Sequence, residues 1–230
     1  MIKALLFDVD DTLLDFEETA RLSMRDLFEK YDFPFDDAAF SVFQAINRGL
    51  WQDLEQGKLT SEELHRVRWK IIFDALGIRF DGERFEGEFR AGLAEHAPLI
   101  PGAREVLQAC KGKYVVCVAS NSSVDQQMRR LRLSGLLPLV EKFYFSESVG
   151  AAKPSAAFFA FCLNDLRLGK SEVLLVGDSL SADVRGALAY GIPVCWYCPQ
   201  EGEIPEDAAK IPRIAALSQL MDIIGRMNAE

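Results

Sequence analysis

Residues 2–7 form an apolar run that ends abruptly in the carboxylate of Asp8. A short run without period-two alternation predicts a strand buried on both faces, as in a parallel sheet. Similar runs recur at Tyr114–Ala119, Phe143–Phe145, Val173–Val176 and Pro193–Tyr197. Segments of helical period lie between them. One is predicted over Arg104–Ala109, before the second run. A second covers Val124–Leu133 and stops at Gly135. A third, Pro154–Leu168, opens with proline in its first turn and stops at Gly169, and a fourth, Ala182–Tyr190, ends at Gly191. Strand and helix alternating from about residue 100 onward predict an α/β fold, a doubly wound parallel sheet.

Residues 16–97 carry a different pattern, with no good strand run and four helical ones. Glu17–Tyr31 is amphipathic, and Asp36–Gln56 is a second helical stretch stopped by Gly57. Thr60 with Glu63 three residues on reads as a capping box, opening a helix that runs to Gly77. Asp81–His96 is the fourth. Pro98-Leu99-Ile100-Pro101-Gly102 then breaks the helical pattern and returns the chain to the sheet. The expected division is a core of residues 1–15 and 98–230 and an all-helical insert, 16–97, of four-helix-bundle type. That insert is far longer than an ordinary crossover.

Charge narrows the partners. With 26 basic against 35 acidic residues the formal net charge is -9, which argues against a nucleic-acid groove or a polybasic membrane patch. An anionic substrate is still compatible, but it must be held by a local device: a metal ion, a lysine or backbone amides. No signal peptide is read at the start, and no stretch approaches the roughly 18 apolar residues of a membrane span. Five cysteines, an odd number without framework spacing, suit a reducing cytoplasm. Cys195-Trp196-Tyr197-Cys198 is a C-x-x-C, but residues i and i+3 of a strand point to opposite faces, so buried thiols are expected there. No exposed apolar stripe is readable, and monomer or homodimer stays open.

In a doubly wound sheet, side chains just past the carboxyl ends of neighbouring strands converge on one crevice. The expected strand ends here are Asp8-Val9-Asp10, Ser120-Asn121 and Gly177-Asp178 with Asp183 five residues on, while Lys153 follows the third strand. Taken singly, each has an ordinary reading: Ser120 as a capping hydroxyl, Lys153 as a solvated lysine, the aspartates as turn caps. Ordinary capping does not account for such residues at the ends of successive buried strands in one chain. Converging carboxylates repel unless a cation sits among them, and oxygen-only ligands without nearby His or Cys favour Mg²⁺.

Asp8-x-Asp10-x-Thr12 after the first strand, then Ser120, then Lys153-Pro154, then Gly177-Asp178 with Asp183, resemble the four motifs of the haloacid dehalogenase superfamily. The resemblance covers the whole chain and places the helical insert where that superfamily carries a small cap. It implies Asp8 as the nucleophile that becomes an aspartyl-phosphate, and Asp10 as the acid and base that serves the leaving oxygen and then the attacking water. It further implies Mg²⁺ held by Asp8, Asp178 and the Asp10 backbone carbonyl, with Asp183 behind them orienting a bound water or Lys153. Ser120, Asn121, Lys153 and backbone amides would bind the transferred phosphoryl group. Haloacid dehalogenases proper do not carry the second aspartate, because a leaving halide needs no proton. Asp10 therefore favours phosphoester hydrolysis.

For the substrate, the resemblance points to the cap. Phe7-Asp8-Val9-Asp10-Asp11-Thr12-Leu13-Leu14-Asp15-Phe16, Asn47-Arg48-Gly49-Leu50-Trp51 and Gly57-Lys58-Leu59-Thr60 look like the pyrimidine 5′-nucleotidase branch. That branch implies a nucleoside 5′-monophosphate as the small-molecule partner. Asn47, Trp51 and Arg68 are the residues expected to meet it, through an amide that reads a base edge, an aromatic that stacks and a cation that pairs with an anion. Against this, aromatics on helices usually fill cores, and Arg68 has acidic neighbours to pair with. Alternatives are a phosphatase of a sugar phosphate or phosphoglycolate, a sugar phosphomutase, and a phosphate-binding module without catalysis.

Overall fold

The computed structural model describes residues 1–199, 202 and 204–229. The apolar start of the chain becomes β1, Ala4–Phe7, every side chain of which is buried. In chain order the other strands are β2 (Val115–Ser120), β3 (Lys142–Phe145), β4 (Val173–Gly177), β5 (Val194–Tyr197) and β6 (Arg213–Ile214). They form one parallel sheet in the order β3-β2-β1-β4-β5-β6. The chain steps outward from β1 to β2 and β3, then crosses back to β4 on the other side of β1. That reversal makes the carboxyl ends of β1 and β4 the switch point, where a crevice opens for want of a crossover.

Side-chain alternation sorts the strands into two cores. Leu5, Phe7, Val116, Val118, Leu174, Val176, Cys195 and Tyr197 point to one face, and Ala4, Leu6, Cys117, Ala119, Leu175, Val194 and Trp196 to the other. The chain divides into two compact units, Met1–Asp15 with Pro98–Glu230, and Phe16–Ala97. The insert's helices are α1 (Phe16–Lys30), α2 (Asp37–Glu55), α3 (Ser61–Leu76) and α4 (Gly82–Leu93). Those of the core are α5 (Ala103–Cys110), α6 (Val124–Leu133), α7 (Ser146–Val149), α8 (Ala156–Leu166), α9 (Gly186–Tyr190) and α10 (Leu220–Ala229). Val106, Leu107, Leu131, Leu220 and Ile224 cover the first face, and Phe158, Phe159, Cys162 and Ala187 the second. None of the five cysteines forms a disulfide. Cys195 packs in one core and Cys198 against the other, as the strand reading of C-x-x-C requires. Among the described residues no helix is long and apolar enough to cross a membrane.

Four elements differ from the sequence expectations. The helix expected from Pro154 begins at Ala156, because Ser155 caps it by accepting the Ala157 amide at 3.2 Å. The single helix expected over 182–190 is split into a π-helical stretch, Leu180–Arg185, and α9. Strand β6 and helix α10 were not read from the pattern at all. Two residues are too few for a period, and α10 follows a 3₁₀ turn at Leu217–Gln219 in place of a polar cap.

The helical unit is built around aromatic rings. Trp69 is fully buried, with Phe85 and Phe89 centroids at 4.3 and 5.0 Å from its own. Thr60 and Glu63 form the reciprocal capping box at the start of α3, with the Thr60 amide donating to Glu63 Oε2 at 2.8 Å and the Glu63 amide to Thr60 Oγ1 at 3.2 Å. Gly77 in the left-handed region (φ 68°) ends that helix.

Candidate active site

Parallel register determines which residues meet. Phe7 lies opposite Val118 in β2 and Val176 in β4, so Asp8, Ser120 and Asp178 leave the sheet at one end. The Asp8 amide donates to the Val176 carbonyl at 2.8 Å, which holds Asp8 in line with the strand it follows. After it the chain turns sharply, with Leu13 and Leu14 amides both donating to Val9 O and Asp11 at φ 58°, a conformation Asp tolerates better than most residues. The turn brings Thr12 Oγ1 within 3.2 Å of Asp178 Oδ1. Trp196 in β5 donates its indole N–H to the Asp178 carbonyl at 2.9 Å, steadying that loop from the other side.

Lys153 reaches the same point from the loop after β3 and α7. Its ammonium donates to Asp8 Oδ1 and to Asp183 Oδ1, both at 2.6 Å, and it is 2% exposed. Asn121 holds this loop in both directions: its amide nitrogen donates to Lys153 O and its oxygen accepts from Lys153 N, each at 2.8 Å. So the Asn121 side chain reaches the site through the Lys153 backbone. Asp183 is carried by the π-helical stretch, and its Oδ2 accepts from the Ser179 amide at 3.1 Å. Gly177 makes room for it: a Cβ there would lie 2.4 Å from the Asp183 carboxyl carbon.

The charge balance of this cluster is unfavourable as it stands. Asp8, Asp178 and Asp183 each offer an oxygen, all within 4.8 Å of one another, against the single ammonium of Lys153. Burial pushes the Asp8 carboxyl up to about 8; Lys153 opposes that shift, and Asp183 and Asp10 add to it. Asp178 is raised well above its ordinary value by burial and by Asp8, Asp183 and Asp11. Burial would pull the Lys153 ammonium down, but Asp183 and Asp8 outweigh it and hold its pKa above the usual lysine value. Buried carboxylates that resist ionisation for want of positive charge are suited to a hard divalent cation, and the donor set is oxygen alone. The residues fit Mg²⁺.

Two residues at the site escaped the sequence reading. Gln127 Nε2 donates to Asp10 Oδ2 at 2.6 Å and to Ser120 Oγ at 3.1 Å, and Arg130 Nη1 donates to Asp10 Oδ1. Both are fully buried on α6. A signal was there. Val124, Met128 and Leu131 mark the apolar stripe of this helix; at about 100° per residue Gln127 falls at its edge and Arg130 a step beyond, and both are buried all the same. The string Asp125-Gln126-Gln127-Met128-Arg129-Arg130 hides that pair among look-alike polar neighbours.

The three insert residues belong to the helical unit and are described within it. Arg68 is 1% exposed; its Nε and Nη2 donate to the two Glu86 oxygens at 3.0 and 2.6 Å, and its Nη1 to Asn47 Oδ1 at 3.0 Å. The anion that Arg68 pairs with is therefore Glu86, which His65 also meets at 2.8 Å. Asn47 is buried with it, and Trp51 on α2 is half-buried.

Comparison with known proteins agrees with this geometry. Residues 2–191 match the model of the haloacid dehalogenase-like hydrolase family. HAD-hydrolase YfnB of Bacillus subtilis is 33% identical over 206 residues, covering 89% of this chain and 88% of its own. A crystal structure of YfnB, described as bound to magnesium, superposes with a TM-score of 0.92 at 31% identity, covering 97% of this chain and 98% of that one. The pyrimidine 5′-nucleotidase PynA of Streptococcus pneumoniae is 29% identical over 226 residues, 97% of this chain and 95% of its own. A parallel sheet whose switch point gathers Asp8, Lys153, Asp178 and Asp183, matched by that family model over most of its length, identifies the chain as a member of the haloacid dehalogenase-like hydrolases.

Proposed function

We propose that the chain is a Mg²⁺-dependent phosphatase that hydrolyses phosphate monoesters through an aspartyl-phosphate on Asp8, with pyrimidine nucleoside 5′-monophosphates as its substrates. The observation that carries the reading is the Asp8 carboxylate at the switch point, held by Lys153 at 2.6 Å beside Asp178 and Asp183. A buried carboxylate fixed in direction is placed to act as a nucleophile. Asp8 Oδ attacks phosphorus as the bond to the leaving oxygen breaks, and Asp10 gives that oxygen a proton. Water then attacks the acyl phosphate, Asp10 takes its proton, and Asp8 is returned as a carboxylate with inorganic phosphate released. Lys153 and Ser120 bind phosphoryl oxygens, and Asn121 keeps Lys153 in place. Asp8, Asp178 and the Asp10 backbone carbonyl would hold Mg²⁺, with Asp183 behind them orienting Lys153; when bound, the ion would supply the positive charge that lets one anion approach another.

The substrate class is supported by the likeness to PynA, which extends across 97% of the chain and so includes the helical unit. Asn47 and Trp51 are the residues of that unit to test for recognition of the base, whereas the Arg68 guanidinium is taken up by Glu86. Five cysteines without a disulfide suit an enzyme of the cytoplasm. The test is phosphate release with Mg²⁺ from UMP, dTMP, sugar phosphates and phosphoglycolate. UMP and dTMP are expected to lead, and Asp8→Asn to remove nearly all turnover. Substantial residual turnover in that variant would sink the nucleophile assignment, and a sugar phosphate returned with its phosphate moved would reveal a mutase.

A further inference from the structure

Gln127 and Arg130 form a buried hydrogen-bonded relay that nothing in the four motifs accounts for. Arg130 Nη1 donates to Gln127 Oε1 at 3.2 Å as well as to Asp10 Oδ1. That contact fixes which way round the Gln127 amide sits, so its nitrogen is the atom that meets Asp10 Oδ2 at 2.6 Å and Ser120 Oγ at 3.1 Å. Both carboxylate oxygens of Asp10 are thus gripped, one by each residue, from one face of α6. An ionised carboxylate has about four lone-pair sites, so two donors leave sites free for a proton in transit. The grip does not occupy the whole group either: the Asp10 side chain remains 28% exposed, whereas Arg130 is closed off entirely.

We propose that Gln127 and Arg130 are positioning residues that hold the Asp10 carboxylate and the Ser120 hydroxyl in one fixed relation. The proton for the leaving oxygen then comes from a set place beside the bound phosphoryl group. This rests on the phosphatase reading above and adds to it the group that aims its acid. A structural filler would be apolar at Gln127, since Val124 and Leu131, one turn before it and one turn after it on the helix, are apolar. An amide there, joined to a buried guanidinium and turned toward two polar groups of the site, is a constraint on those groups.

The test compares leaving groups. A p-nitrophenolate departs without a proton, and an alkoxide needs one. In Gln127→Met, kcat/KM with Mg²⁺ is expected to fall roughly 30-fold or more for an alkyl phosphate, but less than about 3-fold for p-nitrophenyl phosphate, a part of the range general acids supply. Arg130→Lys, which keeps the buried cation, should show the same pattern more weakly and serves if the first variant fails to melt cooperatively. In an Asp10→Asn background, Gln127→Met should add little further loss. Equal loss for both esters, or a loss that adds in full to Asp10→Asn, overturns the proposal and leaves Gln127 acting through Ser120 or the fold alone. If the unaltered chain hydrolyses neither ester with Mg²⁺, the phosphatase reading itself fails and takes this inference with it.

Discussion

At Gly177 the absence of a side chain is a requirement of the neighbouring carboxylate. A Cβ would stand 2.4 Å from Asp183 Oδ2, and Asp183 is one of the two anions that hold the Lys153 ammonium. Gly177→Ala is therefore expected to push Asp183 aside, loosen Lys153 and lower turnover more than tenfold. The overpacking should cost about 1–3 kcal/mol in stability, measurable by denaturant unfolding beside the steady-state assay. Unchanged activity would show that Asp183 has slack that the structure does not suggest. At this scale the sequence was readable where a residue type is rare in its context. Asp8, Lys153 and Asp178 stand out because charged groups seldom follow buried strands in such numbers. Gln127 and Arg130 did not stand out, because helix phase decides which of several similar polar residues turns inward.

Among the elements, α3 and α4 are joined by a buried ion pair as well as by rings. Glu86 on α4 has its pKa lowered: burial alone would raise it, and hydrogen bonds from His65 and Arg68 with the charge of Arg68 outweigh that. A carboxylate whose folded pKa lies below its unfolded value contributes stability that is fully present above the ordinary glutamate pKa. The contribution is lost as pH falls through the folded value. The pair should thus hold at neutral pH and fail below about pH 4.5, where the unfolded chain takes up the proton first. Glu86→Gln should flatten the acid limb of the stability curve while costing about 3–5 kcal/mol at neutral pH, because it strands the Arg68 cation. Denaturant titrations across that pH range would decide it; an acid limb as steep as before would remove Glu86 from the account. Elements were legible where their signals lie close together along the chain. The capping box of α3 and the extent of α6 could be read directly, since caps and periodicity are local. The split at Leu180–Arg185 could not, because it is set by Ser179 O accepting from both Asp183 and Val184 amides around the site.

For the whole molecule, the feature with the widest consequence is the place where the chain leaves the sheet unit and re-enters it. Leu14 pairs with Leu99, the Asp15 amide donates to Pro98 O at 3.0 Å, and the Ile100 amide donates to Leu13 O at 3.0 Å. Exit and return are thus two rungs of one small ladder. A bridge of a few Gly and Ser residues in place of 16–97 should close that gap and leave a chain that melts cooperatively, as calorimetry would show; a broad, non-cooperative transition would mean that the core draws its stability from the excised helices. The ladder also bears on ancestry. Closing a loop costs only about 0.6 kcal/mol more for each doubling of its length, so a stretch spliced in there need not re-register a strand or move Asp8. Selection could then replace the inserted stretch without disturbing the residues gathered at the switch point. A lineage with such a socket can exchange its insert while keeping its core.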